Sequence, residues 1–505
     1  MARSFYERLT ALDSSFLLLE KRNSPLHVAS TLTLEAGPLR TEEGGIDAER
    51  IKKHTAAELH RIPRYRQKIR WIPFTSRPVW VDDDKFNIDY HVRHTSLPKP
   101  GNDEQLKRLS ARIMEQPLDP ARPLWETWIV EGLEGDRFAV ISKVHHCMID
   151  GVSGVDLLTI LLSPTPDVHE EERHRFLPRR APSSFELWRD EMFRRAFLPL
   201  QAVNGVRALL NEAEEARRET FSRLRAAADM IGQTLSLAAE TPINQPVGTH
   251  RRFDWLEMSL EEVKQIRRAF GCSINDVVLT VVTGALQRYL ERRHLNPGSV
   301  AFKVMAPVSV RTREQQGALG NQVSAWIIEL PIDEADPRDQ ILRISRRTTE
   351  LKESRSAVGA TVLTEAAEWG SSTLLALGAR NVSRVLPFNT VVTNVPGPQF
   401  PIYMLGAKLL ASYPLVPLVD NMGLGMAQMS YDGKLCWGFN ADYDLIPDLP
   451  VLVRAAEEAF EELKQLAAAG ARPSSPTADA DGAQAAGEAN GAEDAPLQIV
   501  VKGKT

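Results

Sequence analysis

The sequence predicts an α/β fold with more than one domain. Helical and strand-like patterns alternate along most of the chain, and its 505 residues exceed what a single hydrophobic core normally serves. The composition, 43% hydrophobic and 25% charged, is that of an ordinary globular fold. We therefore expect mixed sheets flanked by helices, in two domains joined by a long helical crossover.

The first domain is expected over residues 1–165. Its predicted elements are a helix in "IDAERIKKHTAAELHRI", strands in "PVWVDDDKFNIDYHVRHTSL", a helix in "EQLKRLSARIMEQ" and an alternating strand in "RFAVISKVHH". The next segment, "PTPDVHEEERHRFLPRRAPSS", is rich in proline and charge and has no period. Residues 166–245 are therefore predicted to be a linker with crossover helices.

Within that linker, "WRDEMFRRAFLPLQAVNGVRALL" carries apolar residues flanked by arginines. This pattern suits a helix lying in a membrane interface, and it equally suits a crossover helix packed between domains.

The second domain is expected over residues 246–468. Ser259 and Glu262 have capping-box spacing at its first helix, and Gly271 stands where that helix should end. Its predicted strands are "AFKVMAPVSVR", "NQVSAWIIELP", "TVVTNVPGP" and "MAQMSYDGKLCWGFNADYD". Residues 469–505 are rich in Ala, Gly, Pro and Ser and are predicted to be disordered.

Charge, cysteine content and hydropathy exclude several classes of protein. A net charge of -5 argues against nucleic acid as the main partner. Three cysteines without C-x-x-C spacing indicate neither a disulfide framework nor a zinc ribbon. The N-terminus lacks the pattern of a secretory signal, and no run reaches the roughly 18 apolar residues of a membrane span. We expect a cytoplasmic protein whose contact with membranes is peripheral.

The segment "KVHHCMIDGVSG", residues 143–154, carries the most suggestive chemistry. Consecutive strand residues point to opposite faces, so His145 and His146 are poorly placed to share a metal ion. The glycines around Ser153 do not fit a nucleophile elbow, and "GLGMAQ" lacks the third glycine of a dinucleotide fingerprint. One histidine at a strand end is a suitable general base, with Asp150 orienting it or pairing with an arginine. A buried structural histidine beside a turn remains the alternative.

Taken with further segments, "HHCMIDG" resembles the H-H-x-x-x-D-G motif of the acyl-CoA-dependent acyltransferase superfamily, which includes chloramphenicol acetyltransferases. The chain is most similar to its wax ester synthase/diacylglycerol acyltransferase family. The segments that carry the resemblance, in family order from about residue 9 to 468, are "LTALDSSFLLLEKRNSPLHVA", "RPLWETWIVEGL", "SINDVVLT", "APVSVR", "GNQVS" and "TNVPGP". The D-F-G-W-G motif of the superfamily's other branches has no match here, and "LCWGFNADYD" is only loosely similar to it.

The resemblance implies two chloramphenicol-acetyltransferase-like domains with an active-site channel between them. His146 would be the general base, His145 would support the loop, and Asp150 would be structural and pair with Arg311. Asn275 would donate an amide N–H or cap a helix, and Asp276 would be a weaker candidate beside it. The other residues assigned by the resemblance line the channel or belong to the core (Pro123, Leu124, Trp125), lie in the motif (Gly151) or form a rigid strand exit (Asn394, Pro396, Gly397).

The activity implied is transfer of a fatty acyl group from acyl-CoA to a diacylglycerol or a long-chain alcohol. The hydroxyl would attack the thioester directly, with no acyl-enzyme, no cofactor and no metal. The enzyme would act at the inner face of the cell membrane or at lipid droplets. Two alternatives are an acyltransferase that uses a carrier protein as donor and a non-catalytic lipid-binding protein. Acceptor preference and chain length do not follow from the sequence.

Overall fold

The structure, a computed structural model, describes residues 5–75, 77–148, 160–168, 174–195, 239, 241–309, 323–353 and 386–470. Over these ranges it contains two six-stranded sheets, one three-stranded sheet and helices packed on them. The predicted α/β class with mixed sheets is confirmed. The predicted disordered tail lies almost wholly outside the described residues.

The strands are β1 (Glu7–Arg8), β2 (His27–Glu35), β3 (Gln67–Trp71), β4 (Pro78–Asp82), β5 (Val92–Ser96), β6 (Trp125–Leu133), β7 (Arg137–His145), β8 (Arg251–Ser259), β9 (Lys303–Ser309), β10 (Val323–Glu329), β11 (Thr390–Pro396), β12 (Tyr403–Met404), β13 (Ala407–Leu415), β14 (Leu424–Tyr431) and β15 (Lys434–Asp442). The helices are α1 (Ala11–Leu19), α2 (Ala48–Glu58), α3 (Ile88–His91), α4 (Asp103–Glu115), α5 (residues 184–195 in its described part), α6 (Leu260–Phe270), α7 (Ile274–Arg292), α8 (Pro337–Glu353) and α9 (Leu449–Ala468).

The first six-stranded sheet has the order β12-β13-β2-β7-β6-β5 and carries the histidine pair at the end of β7. Only β5 and β6 run parallel, and the other neighbours are antiparallel. From Phe138 to His145 every residue of β7 is buried, because this central strand is covered on both faces. The predicted strand over residues 78–97 is interrupted by α3, which Asn87 caps through its side chain.

The second six-stranded sheet has the order β10-β9-β11-β14-β15-β8 and is covered by α6, α7, α8 and α9. Helix α7 is apolar nearly all round and is correspondingly buried. A Cβ on Gly284 would lie 2.9 Å from Cβ of Ala459, so glycine permits the close approach of α7 and α9. Among the described residues no single helix has the length and apolarity to cross a membrane, although α6 and α7, bent by 98°, pass that test as a pair.

Two strands from the second half of the chain join the sheet of the first half. Strands β12 and β13 lie within the predicted second domain, yet β13 pairs with β2 in the first sheet. Tyr413 on β13 stacks on Trp255 of β8 with ring centroids 4.4 Å apart, and its hydroxyl donates to Glu257 at 2.5 Å. The division at residues 165 and 246 stays a prediction, to which the structure adds the position of β12 and β13 in the first sheet.

The three-stranded sheet, of order β1-β4-β3, carries helix α5. Leu187 of α5 packs in a small core with Ile72, Val79 and Val81. The described part of the predicted crossover therefore lies on this sheet, and the segment after residue 195 falls outside the described residues up to 238.

Candidate active site

The two histidines leave the first sheet under tight backbone control. The N–H of His145 donates to the carbonyl of Leu124 at 2.9 Å, and the N–H of His146 donates to the carbonyl of Leu26 at 2.9 Å. The chain then turns through a 3₁₀ helix over His146–Met148. The residues that precede β6 and β2 thus fix the position where the imidazoles project.

His145 is held in one tautomer by its surroundings. Its Nδ1 accepts the backbone N–H of Cys147 at 3.1 Å, so the proton of the neutral ring belongs on Nε2. That Nε2 lies 3.5 Å from Oε1 of Glu20. The ring is buried, and it faces His27 of β2 edge-on at a centroid distance of 5.8 Å.

Glu20 places one carboxylate oxygen between two buried imidazoles. Its Oε1 lies 3.4 Å from Nε2 of His27, and it accepts the N–H of Leu26 at 3.2 Å. Burial opposes ionisation, but the interactions with His145 and His27 outweigh it and lower the pKa of Glu20 well below its usual range. Burial lowers the pKa of His27 to about 4. At neutral pH the site therefore holds a carboxylate anion beside the neutral imidazole of His27.

His146 has the features of a general base. Phe16 of α1 stacks on its ring at a centroid distance of 3.9 Å. Its Nδ1 is buried, whereas the residue as a whole is only partly buried. Burial, with a smaller contribution from nearby His145, lowers the pKa of His146 to about 4. The ring is neutral at physiological pH and can accept a proton at Nε2.

This site lies where the two halves of the chain meet. The loop of residues 20–26, which bears Glu20, is tied to the second half by several hydrogen bonds. Ser24 Oγ donates to the carbonyl of Leu418 at 2.6 Å, and Asn23 Nδ2 donates to that of Val247 at 2.8 Å. Arg251 Nη2 donates to the carbonyl of Asn23 at 2.5 Å. The base is thus positioned at a boundary between domains, a usual place for a substrate site.

Comparison with known proteins identifies the family. Residues 9–278 match the wax ester synthase/diacylglycerol acyltransferase catalytic domain, and residues 319–464 match the C-terminal domain of the same family. The chain belongs to the wax ester synthase/diacylglycerol acyltransferase family. It is accordingly an O-acyltransferase by family, as its sequence predicted.

Individual relatives agree with this assignment. A Mycobacterium tuberculosis protein named as a diacylglycerol O-acyltransferase is 32% identical over 474 residues, which cover 90% of each chain. The solved wax ester synthase/diacylglycerol acyltransferase from Marinobacter aquaeolei VT8 aligns with a TM-score of 0.64 and 25% identity, covering 91% of this chain and all of the other. The starter condensation domain of rhizomide synthetase shares the fold at a TM-score of 0.55 and 13% identity, over 93% of this chain and 96% of that domain.

The Pro123-Leu124-Trp125 segment, a motif of the acyltransferase family, lies in the core of the first sheet. Trp125 is buried, donates from Nε1 to the carbonyl of Tyr65 at 2.8 Å and stacks on His91. Leu124 is buried too, and its carbonyl holds His145. The geometry favours the core interpretation, with an indirect role in positioning the histidine pair.

The family's Asn-Asp pair begins helix α7. Both carboxylate oxygens of Asp276 are engaged: one accepts the N–H of Ser273 and the other accepts Thr348 Oγ1, each at 2.8 Å. Ser273 and Asp276 form a reciprocal capping box. This favours the capping interpretation for Asp276, while Asn275 is half-buried in the first turn.

The "NVPGP" segment ends strand β11. Asn394 is half-buried opposite Gln428 of β14, and Pro396 is exposed at the strand end. The φ of Gly397 is not in the left-handed region. Glycine is needed there because a Cβ would lie 2.3 Å from the carbonyl oxygen of Ser430.

Three predicted residues, Asp150, Gly151 and Arg311, lie outside the described residues, so the proposed Asp150–Arg311 pair stays a prediction. Over the part of the chain that the structure describes, no group of three or more His, Cys, Asp or Glu side chains is arranged to hold a metal ion.

Three members of the site were not predicted from the sequence: Phe16, Glu20 and His27. They all fall within "LTALDSSFLLLEKRNSPLHVA", which served only as a family motif. For His27 a usable signal was present, because it begins β2 as His145 ends β7.

Proposed function

We propose that the protein transfers a fatty acyl group from acyl-CoA to the hydroxyl of a diacylglycerol or a long-chain alcohol, with His146 as the general base. The observation that carries this proposal is a partly buried imidazole that is neutral at physiological pH and fixed at the boundary of the two halves. The names of the relatives, diacylglycerol O-acyltransferase and wax ester synthase, supply the acceptor classes.

The chemistry follows from the state of the ring. Nε2 of His146 takes the proton of the acceptor hydroxyl while the oxygen attacks the thioester carbonyl. A C–O bond forms, the C–S bond breaks, and the CoA thiolate leaves with the proton that the imidazolium returns. General-base assistance of this kind contributes about 10²- to 10⁴-fold in rate. No acyl-enzyme is required, because the acceptor oxygen itself is the nucleophile.

The surroundings of His146 support this role. Stacking by Phe16 and the hydrogen bond to Leu26 restrict the ring and its backbone. We place the lone pair of the neutral ring on Nε2, because Nδ1 is buried.

We propose in addition that the enzyme works at a lipid surface, either the cytoplasmic face of the cell membrane or a lipid droplet. Diacylglycerols and long-chain alcohols are insoluble in water, so the acceptor reaches the active site from such a surface.

The decisive experiment replaces His146 by alanine and measures transfer of a radiolabelled acyl group from acyl-CoA to diolein and to hexadecanol. The matched control is His94→Ala, which removes an exposed imidazole of β5. We expect kcat to fall by about 10²- to 10⁴-fold in the first variant and to stay unchanged in the control. Undiminished transfer by folded His146→Ala protein would remove the proposed base.

A further inference from the structure

The β3–β4 hairpin presents two aromatic side chains to the solvent. Trp71 is 43% exposed at the end of β3, and Phe74 in the turn is 95% exposed. The backbone of Phe74 has a φ of 59°, a left-handed conformation that bulky L-residues rarely adopt. A strained residue with almost no contact to the rest of the protein points to an interaction outside the chain.

Helix α5 beside the hairpin also turns apolar side chains outward. Phe185 is 65% exposed and Phe193 is 60% exposed, whereas Leu187 and Glu191 face the sheet and are fully buried. Phe185, Arg189 and Phe193 are spaced four residues apart and share the outer face of the helix. The usual arrangement of a surface helix, with its polar side outward, is thus partly reversed.

A cluster of arginines joins the two elements. The buried carboxylate of Glu191 is contacted by Arg8 at 2.6 Å, Arg194 at 3.0 Å, Arg195 at 2.9 Å and Arg77 at 3.7 Å. Four guanidinium groups around one carboxylate leave an excess of three positive charges. Since these arginines come from β1, α5 and the hairpin, the cluster is built into the fold.

Within the hairpin itself, residues 69–77 contain two cations, Arg70 and Arg77, and no acidic residue, whereas Lys68 is paired with Asp83 and Asp84. Arg70 donates to the carbonyl of Pro182 just before α5 at 2.8 Å, so hairpin and helix are held together at both ends. We call the exposed aromatic residues and the four arginines the hairpin–helix surface (Trp71, Phe74, Phe185, Phe193, Arg8, Arg77, Arg194, Arg195).

We propose that the hairpin–helix surface docks the protein on an anionic lipid bilayer. Projecting aromatic side chains enter the boundary between headgroups and acyl chains, and the surplus arginines meet lipid phosphates. The positive excess selects an anionic surface over a neutral one. This inference rests on the proposed function only in that a water-insoluble acceptor must be taken from lipid.

The test uses the full chain and two kinds of vesicle, phosphatidylcholine alone and phosphatidylcholine mixed with phosphatidylglycerol, in a co-sedimentation assay. We expect binding to the mixed vesicles that weakens with salt. The double variant W71S/F74S should bind at least about tenfold more weakly, because it buries less apolar area in the bilayer. R194Q/R195Q should bind about fivefold more weakly for each charge removed.

Phe400→Ser is the matched control, because Phe400 is an exposed phenylalanine at 39% that precedes β12. It should bind as the unaltered protein does. The proposal is overturned if the unaltered protein does not bind mixed vesicles, or if W71S/F74S binds as well as Phe400→Ser. Self-association lost in W71S/F74S, without vesicle binding, would assign the surface to a second copy of the chain and would equally overturn it.

Activity separates this proposal from the proposed function. W71S/F74S should transfer acyl groups at the unaltered rate to an acceptor dispersed in detergent and more slowly to diacylglycerol embedded in mixed vesicles. If acyl transfer failed in every variant while vesicle binding followed the pattern above, only the proposed function would fall.

Discussion

Replacing Glu20 by glutamine tests whether one carboxylate holds the histidine pair in place. The glutamine has nearly the same shape, but the acceptor beside His27, His145 and the Leu26 N–H loses its charge. A neutral side chain can also present its amide N–H₂ to the Nε2–H of His145, which would repel it. We expect both stability and turnover to fall.

The size of the effect follows from the contacts. Hydrogen bonds to a charged group contribute about 1.5–3 kcal/mol and neutral ones about 0.5–1.5 kcal/mol, so each well-formed bond loses about 1 kcal/mol. The hydrogen bond from the Leu26 N–H, at 3.2 Å, is assigned the full loss. The contacts of the His27 and His145 imidazoles with Glu20 Oε1, at 3.4 and 3.5 Å, are longer and are assigned part of it. The sum is about 2 kcal/mol, equivalent to about 30-fold if all of it appears in kcat.

The assay combines urea unfolding at neutral pH with acyl transfer to diolein. Glu35→Gln is the control, since this residue ends β2 with an exposed side chain and should change stability by less than about 0.5 kcal/mol. KM should change little, because the loop acts on the base and not on the acceptor. A Glu20→Gln protein with the stability and kcat of the control would refute the argument.

Three further predictions concern pH and packing. Because the pKa of His146 is about 4, kcat/KM should hold from about pH 8 down to about pH 6 and decline only toward pH 4, and half-loss near pH 6.5 would contradict this. Burial lowers the pKa of His91 from 6.5 to about 4. Between pH 6.5 and about pH 4 the unfolded chain therefore takes up a proton that the folded protein does not, and stability falls as the pH falls. In His91→Phe the slope of unfolding free energy against pH should shrink by about 1.4 kcal/mol per unit, measured by urea unfolding between those values. Gly438→Ala would place a Cβ 1.8 Å from the carbonyl oxygen of Pro414 and should cost at least about 1–3 kcal/mol in the same assay, while Gly37→Ala, with open space around it, should be nearly neutral.

Local features of the fold were predictable because their causes are local. Ser259 caps α6 by accepting the N–H of Glu262, and Gly271 ends that helix with a φ of 64°, as their spacing predicted. Ser273 likewise begins α7. Caps and glycine ends depend on a few neighbouring residues, so a single sequence reveals them. The histidine at the end of β7 was predictable for the same reason.

Long-range pairings were not predictable in this way. Nothing in "AKLLASYPL" shows that β13 joins β2, because strand partners distant in sequence are selected by tertiary packing. Glu20 is a similar case: it follows α1 as an ordinary C-terminal charged residue. Only the pairing of β2 with β7 brings His27 and His145 to the same carboxylate.

The pairing of β13 with β2 explains why the base depends on both halves of the chain. His146 is held by the carbonyl of Leu26, and the loop that ends at Leu26 is held by Val247, Leu418 and Arg251. Strand β2, which follows this loop, pairs on one side with β7 and on the other with β13. A shift of the second half would therefore move β2, the loop and Glu20 together, and with them the ring of His146. Because a displacement of about 1 Å can cost about 10²-fold in rate, this coupling ties the rate of acyl transfer to the packing between the halves.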